Sequence, residues 1–228
     1  MYIIFDLDDT LVDSEQGHIK AINLLYQDYF PNVQPKFDIN SVWINVTDQY
    51  LELYFKGELS LEQQRVERIQ KFWEICGAKL NRESAKKIYD QYDKYFLNSC
   101  LNFDDTLKTL QQLSKFELVI ISNGSYVDQI FKLKNNNLMK YFKQIFISDR
   151  VGFSKPDKRI FQYVANELGT NISNCLYIGN SYPLDYIGAR DAGMKAIWLD
   201  RNSTGYDIKH NKISSLEQLP KLQILQPS

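Results

Sequence analysis

Asp6 and Asp8 stand two residues apart, where the apolar run Tyr2–Phe5 gives way to Asp6-Leu7-Asp8-Asp9-Thr10. Residues two apart on a strand share a face, so both carboxylates can project into one site. Carboxylates that close repel and perturb one another's pKa values unless a cation intervenes. Ser122-Asn123-Gly124 follows the run Val119-Ile120-Ile121 and offers an anion a hydroxyl and the amides of a helix start. Lys155 precedes Pro156-Asp157 at another helix start, where fixed positive charge is unfavourable unless it faces an anion. Gly179-Asn180-Ser181 closes a further run, and Asp185 follows Asn180 by five residues as a third candidate carboxylate. Each piece alone also has a plain reading: a solvated acidic turn, a common strand-to-helix turn, a surface lysine, a helix N-terminal acid. Together they supply a nucleophile, an acid/base, a hydroxyl, an ammonium and an acidic edge that favours a metal.

Five short apolar runs must position these groups: Tyr2–Phe5, Leu118–Ile121, Ile145–Ile147, Leu176–Ile178 and Ala196–Leu199. Their length and near-continuous hydrophobicity predict strands buried on both faces of a parallel sheet. Between them, Leu107, Leu110 and Leu113 recur at helical spacing behind Asp104 and Asp105, which suit a helix N-terminus. Pro156-Asp157 opens a second helix, lined by Ile160, Phe161, Val164, Ala165 and Leu168 and stopped by Gly169. A third runs from about Pro183 to Ala192, with Gly193 at its end. The alternation predicts an α/β fold, a Rossmann-like parallel sheet with helices on both faces. Ligands of such sheets sit beyond the carboxyl ends of the strands, where the polar residues above fall.

A βαβ unit needs roughly thirty residues. Ser122 to Lys155 is 33 residues and Lys155 to Asn180 is 25, but Asp6 to Ser122 is 116. The excess, residues 15–98, repeats helical patterns: Ile19, Ile22, Leu25, Tyr26 and Tyr29; Ile69, Phe72 and Trp73; Ile88, Tyr92, Tyr95 and Phe96. It is expected to be an all-α cap inserted into a catalytic core of residues 1–14 and 99–228. Its 12 acidic and 11 basic side chains make no large charged landing surface. Trp43, Tyr50, Tyr54, Phe55, Phe72 and Trp73 are expected to fill the cap's own core. Arg65 and Arg68 read as solvated helix-face residues that could reach an anionic substrate. Asn135-Asn136-Asn137 reads as a helix end or loop, and there is no internal repeat.

The 228 residues balance 27 basic against 28 acidic side chains, which removes the electrostatic footprint of a nucleic-acid or anionic-membrane binder. No apolar run approaches the roughly 18 residues of a membrane helix. The N-terminus has neither the basic start nor the cleavage site of a secretion signal. Cys76, Cys100 and Cys175 form no CxxC pair and leave an odd thiol, as expected of reduced cysteines in a cytoplasmic protein. His18 and His210 are the only histidines, so a multi-histidine zinc site cannot be built. Their number alone does not exclude a Ser-His-Asp triad, but neither lies near a Gly-x-Ser-x-Gly elbow, and both read as surface or partly packed residues. Catalysis is left mainly to carboxylates, hydroxyls, lysines and metal.

In order and spacing, four segments resemble the motifs of the haloacid dehalogenase-like hydrolases, a superfamily dominated by phosphatases. They are Asp6-x-Asp8-x-Thr10, Ser122, Lys155 within Gly152-Phe153-Ser154-Lys155-Pro156, and Gly179-Asn180-x4-Asp185. The long gap between the first two resembles the branch with a helical cap inserted there. The 33 residues between the second and third leave no room for the larger alternative cap. The resemblance implies a magnesium-dependent phosphatase with Asp6 as nucleophile, forming a phosphoaspartyl intermediate, Asp8 as acid and then base, and Lys155 as the third catalytic group. It implies phosphate contacts from Ser122, Asn123, Lys155 and Thr10, with Thr10 also holding the motif turn. Mg2+ would be held by Asp6, the main-chain carbonyl of Asp8, Asn180 and Asp185. The expected partner is a small phosphorylated metabolite, a sugar phosphate or nucleoside monophosphate, and the expected state a monomer or homodimer.

Family phosphatases usually carry Asp where Asn180 stands, so one negative charge is missing and Asp185 is expected to carry more of the metal binding. The metal-independent dehalogenase branch also has an asparagine near this position, but it generally lacks the second carboxylate. Asp8 favours ester hydrolysis, because a leaving alkoxide needs a proton and a halide does not. A 2-haloacid dehalogenase, or a phosphomutase, whose chemistry uses the same residues, stays an alternative. So does, from another class, a catalytically weakened binding or regulatory protein.

Overall fold

The apolar runs that end at Asp6, Ser122, Ser148, Gly179 and Asp200 are strands of one parallel sheet in the computed structural model, which describes residues 1–203 and 211–225 and leaves aside the Phe55 side chain. His210 lies outside the described residues. The chain divides into two compact units, Met1–Asp13 with Leu101–Ser228, and Ser14–Cys100. In chain order the elements begin with β1 (Tyr2–Phe5), β2 (Val12–Asp13), α1 (Ser14–Tyr29), α2 (Ile39–Phe55), α3 (Leu61–Ile75) and α4 (Arg82–Ser99). They continue with β3 (Leu101–Asn102), α5 (Thr106–Gln112), β4 (Glu117–Ser122), α6 (Tyr126–Asn135), β5 (Gln144–Ile147) and α7 (Ser148–Val151). The last are α8 (Lys158–Glu167), β6 (Cys175–Gly179), α9 (Gly188–Ala192), β7 (Lys195–Leu199) and β8 (Lys212–Ile213).

The first unit holds a six-stranded sheet in the order β5-β4-β1-β6-β7-β8, with every pairing parallel. Ile4, Val119, Ile121 and Tyr177 pack on one face against Ile160, Phe161 and Val164 of α8 and Ala189 of α9. Strand alternation turns Ile3, Phe5, Leu118 and Ile120 to the other face, where Phe5 meets Phe142 edge-on at 6.4 Å. All are buried, as the continuous hydrophobicity of the runs requires.

In this first unit three details differ from the sequence expectation. The strands β2, β3 and β8 are two residues each, too short to show a period. Asp105 stands at the N-cap of α5 but does not cap it. Its carboxylate instead takes two bonds from Arg201, both 2.9 Å, and one from Ser215 at 2.8 Å. The helix expected from Pro183 opens as a π-helical turn, Tyr182–Ile187, before α9. Pro183 has no N–H to donate there, and the Ser181 hydroxyl accepts from Leu184 N at 3.3 Å.

The second unit is four helices. Ser60 and Gln63 form a reciprocal capping box at the start of α3, and Asn81 caps α4 through Ser84 N at 2.8 Å. α2, which the sequence pattern did not single out, buries Ile39, Trp43, Val46 and Thr47 at helical spacing. Trp43 meets Phe72 edge-on at 5.5 Å and Tyr92 at 4.7 Å, and its indole donates to the Tyr92 hydroxyl at 3.1 Å. His18 is partly packed against that hydroxyl and stacks on Phe96 at 4.0 Å. Arg68 is not on a solvated face. It is 4% exposed, with its guanidinium 5.0 Å from the Trp43 ring and 5.6 and 5.8 Å from Tyr89 and Tyr92.

Candidate active site

β1 lies between β4 and β6, and these three parallel strands deliver their carboxyl ends to one edge. Asp6 N donates to Ile178 O at 2.9 Å, which carries the β1–β6 ladder one residue past the strand. The next residues fold back tightly: Leu11 N and Val12 N both reach Leu7 O, at 2.9 and 3.1 Å, and Asp9 N reaches Val12 O at 2.7 Å. Asp9 absorbs the turn at φ +56°, a conformation aspartate tolerates better than most residues.

Lys155 is the hub. Its ammonium donates to Asp6 Oδ1 at 2.7 Å, to Asp185 Oδ1 at 2.6 Å and to the Tyr177 hydroxyl at 3.0 Å, which satisfies all three of its donors. All four side chains are buried. The Tyr177 proton has Asp185 Oδ1 at 3.0 Å and Ile121 O at 3.1 Å within reach. Asp185 Oδ2 accepts from Ser181 N at 2.9 Å. Asp185 can lie here because residue 179 is glycine: a Cβ at Gly179 would fall 2.4 Å from the Asp185 carboxylate.

Burial pushes the Asp6 carboxyl up to about 7; the Lys155 ammonium opposes this, and the Asp185 and Asp8 carboxylates add to it. Burial alone would lower the Lys155 ammonium, but Asp185 and Asp6 outweigh it and hold it above the ordinary lysine value. Tyr177 is raised by burial and by the same two carboxylates.

The Asp8 side chain is 30% exposed and takes Lys132 Nζ on Oδ1 and Gln129 Nε2 on Oδ2, each at 2.6 Å. Gln129 Nε2 also lies 3.0 Å from the Ser122 hydroxyl and 2.8 Å from Asn123 O. Thr10 is fully buried, and its hydroxyl serves Asn180, accepting from Asn180 N at 3.0 Å and donating to Asn180 Oδ1 at 3.3 Å. These two bonds tie the Thr10 side chain to the loop after β6, in keeping with a role in holding the motif turn. The Asn123 side chain ties the loop after β4 to the Lys155 backbone, accepting from Lys155 N at 2.8 Å and donating to Lys155 O at 3.0 Å. Asp185, expected among metal ligands, has both oxygens occupied by protein donors. Among the described residues, no three His, Cys, Asp or Glu side chains converge as a metal cluster.

The structure thus brings Asp6, Lys155 and Asp185 into hydrogen-bonding contact, with Asp8 and Ser122 joined through Gln129. Sequence reasoning missed Tyr177, Gln129 and Lys132. Tyr177 carries its hydroxyl inside a strand buried on both faces, and a buried tyrosine OH usually has a partner, which was a usable signal. Gln129 and Lys132 follow the Ser122 turn at i, i+3 spacing, and nothing in their types says that they turn inward.

The profile of the haloacid dehalogenase-like hydrolases matches residues 3–199. Human N-acylneuraminate-9-phosphatase is 26% identical over 230 residues, covering 96% of this chain and 92% of that protein. The pyrimidine 5'-nucleotidase YjjG of Escherichia coli is 27% identical over 206 residues, covering 87% and 85%. The magnesium-bound structure of the HAD-hydrolase YfnB from Bacillus subtilis superposes with a TM-score of 0.84 at 24% identity, covering 99% of this chain and 98% of that one. Fold and site define a hydrolase built on a Rossmann-like parallel sheet with a helical cap. The chain belongs to the haloacid dehalogenase-like hydrolase family, in its phosphatase branch. It is a phosphoric monoester hydrolase. No described helix is long and apolar enough to cross a membrane.

Proposed function

We propose that the chain is a magnesium-dependent phosphatase of small phosphomonoesters, of the sugar-phosphate or nucleoside-monophosphate class, working through a phosphoaspartyl intermediate on Asp6. The carrying observation is the Asp6 carboxylate itself. Oδ1 is fixed by Lys155, while no described residue donates to Oδ2. In this reading Oδ2 attacks phosphorus in line, Ser122 holds one phosphoryl oxygen, and Lys155 holds another by exchanging one of its three present bonds, that to the Tyr177 hydroxyl, for it. Asp8 protonates the departing alkoxide and then takes a proton from the water that hydrolyses the intermediate.

The residues fit a hard cation by the chemistry of their donors, which are all oxygen: Asp6 Oδ1, which keeps a lone pair beside its bond from Lys155, the Asp8 carbonyl and Asn180 Oδ1, so that Asp6 Oδ2 is left for the substrate. The upward push on Asp6 marks a place where positive charge is favoured. When bound, magnesium would neutralise charge developing on the transferring phosphoryl group. Asp185 serves this site through Lys155.

The substrate class rests on the names of the relatives, an N-acylneuraminate-9-phosphatase and a pyrimidine 5'-nucleotidase, both acting on small phosphorylated molecules. Three free cysteines, two of them buried, accord with a reducing compartment such as the cytoplasm. Phosphate release from an aryl phosphate, with magnesium and with chelator, beside Asp6→Asn, tests the reading. Release that needs magnesium and vanishes in the variant is expected. Release unaffected by either change would overturn it.

A further inference from the structure

Lys132 and Gln129 turn one face of α6 onto Asp8. They are three residues apart, both are buried, and each donates to a different Asp8 oxygen at 2.6 Å. A buried ammonium is costly unless it is paired, so a lysine on this inward face needs a carboxylate opposite it. The helix is held in place for this. Asn136, just past the end of α6, accepts from Asn102 N at 2.9 Å and donates to Lys132 O at 2.9 Å. At the other end Gly124, at φ +129°, leaves room for Gln129, since a Cβ there would lie 3.1 Å from Gln129 Nε2.

Resting on the phosphatase reading, we propose that Lys132, assisted by Gln129, is a positioning residue that holds Asp8 for the hydrolysis of the phosphoenzyme. Two donors on two different oxygens leave Asp8 presenting lone pairs, the arrangement that accepts a proton from water. The same donors do nothing to aim an O–H at a leaving group. In the assisted step the water oxygen bonds to phosphorus and the bond from phosphorus to Asp6 breaks. Its electron pair returns to the Asp6 carboxylate, the water proton goes to Asp8, and inorganic phosphate leaves. Gln129 links this base to Ser122, so the proton acceptor and the phosphate-binding hydroxyl are set by one side chain.

The test uses the full chain with magnesium and p-nitrophenyl phosphate, comparing wild type, Lys132→Met and Lys132→Arg by steady-state and rapid-quench kinetics, with thermal melts of all three. kcat/KM reports the steps through phosphoenzyme formation, whereas kcat also includes its hydrolysis. Lys132→Met is expected to lower kcat by about tenfold or more, within the usual reach of acid–base catalysis, while kcat/KM falls by less than about threefold. A burst of nitrophenolate approaching one per enzyme should appear, and Lys132→Arg should restore kcat to within about threefold. A parallel fall of kcat and kcat/KM, an absent burst, an unchanged kcat or a failure of arginine to rescue overturns the proposal. If Lys132→Met does not fold, Lys132→Gln carries the same kcat against kcat/KM comparison. A wild type that releases no nitrophenolate, or an Asp6→Asn variant that still does, defeats the phosphatase reading beneath it and is thereby told apart.

Discussion

Gly179→Ala places one methyl group against the most crowded carboxylate of the site. The added Cβ would lie 2.4 Å from Asp185 Cγ and Oδ2, so an ordinary 3.4 Å contact requires the carboxylate to retreat by about 1 Å. Its oxygens now sit 2.6 Å from Lys155 Nζ and 2.9 Å from Ser181 N, and a retreat of that size takes at least one of them out of hydrogen-bonding range. Asp185 is fully buried, so no bulk water replaces the lost donor. Overpacking of this kind costs about 1–3 kcal/mol of stability. Lys155, relieved of one carboxylate, is drawn toward Asp6 and away from its present position. Misplacement by about 1 Å of a group that binds the reacting phosphoryl costs on the order of 100-fold in kcat. The assay is kcat on an aryl phosphate, with circular dichroism and a thermal melt to show that the variant is folded at the assay temperature. A folded variant with kcat within about threefold of wild type would refute the claim that Asp185 works by positioning Lys155.

Other perturbations test the surrounding fold. Ser60→Ala breaks the α3 capping box and should lower the unfolding free energy in urea by about 1 kcal/mol. Arg68 has no hydrogen bond or ion pair among the described residues, and its buried Nε has no acceptor. Arg68→Met should therefore leave the melting temperature unchanged or raise it, and a loss above about 1 kcal/mol would mean that the aromatic contacts outweigh the desolvation. Burial would raise the Asp105 carboxyl, but Arg201 and Ser215 outweigh it and hold it below the usual value. Its stabilisation is thus complete above its unfolded value near 4 and is lost as pH falls through the lower folded value. Asp105→Asn should cost about 3 kcal/mol at pH 7, and urea titrations should show the gap to wild type narrowing below about pH 4.

The parallel sheet was legible because strands buried on both faces are apolar throughout, so Tyr2–Phe5 or Leu176–Ile178 needs no alternation to be recognised. Asp6, Lys155 and Asp185 could be singled out because each stands at the end of a run or the start of a helix, and the fold brings both carboxylates within 2.7 Å of the Lys155 ammonium. What was not legible depends on partners distant in sequence. Asp105 reads locally as a helix cap, yet Arg201 claims it from 96 residues away. Arg68 reads as solvent-facing because hydrophobic periodicity assigns charge to the outside, and Lys132 is not singled out at all; their burial rests on three aromatic rings in one case and Asp8 in the other. Thr10 reads as a site hydroxyl, but Asn180, 170 residues on, takes it for the loop. The short pairing of β2 with β3 carries no periodic signal at all.

The central claim is that Asp6 Oδ2 becomes covalently bonded to phosphorus. Acid quenching of the enzyme during steady turnover, followed by peptide mass analysis, tests it most directly. One added phosphoryl group on the peptide carrying Asp6, absent from the Asp6→Asn variant and increased in Lys132→Met, is the predicted result. Turnover with no phosphoryl group on that peptide, or with the group on Ser122, would contradict it.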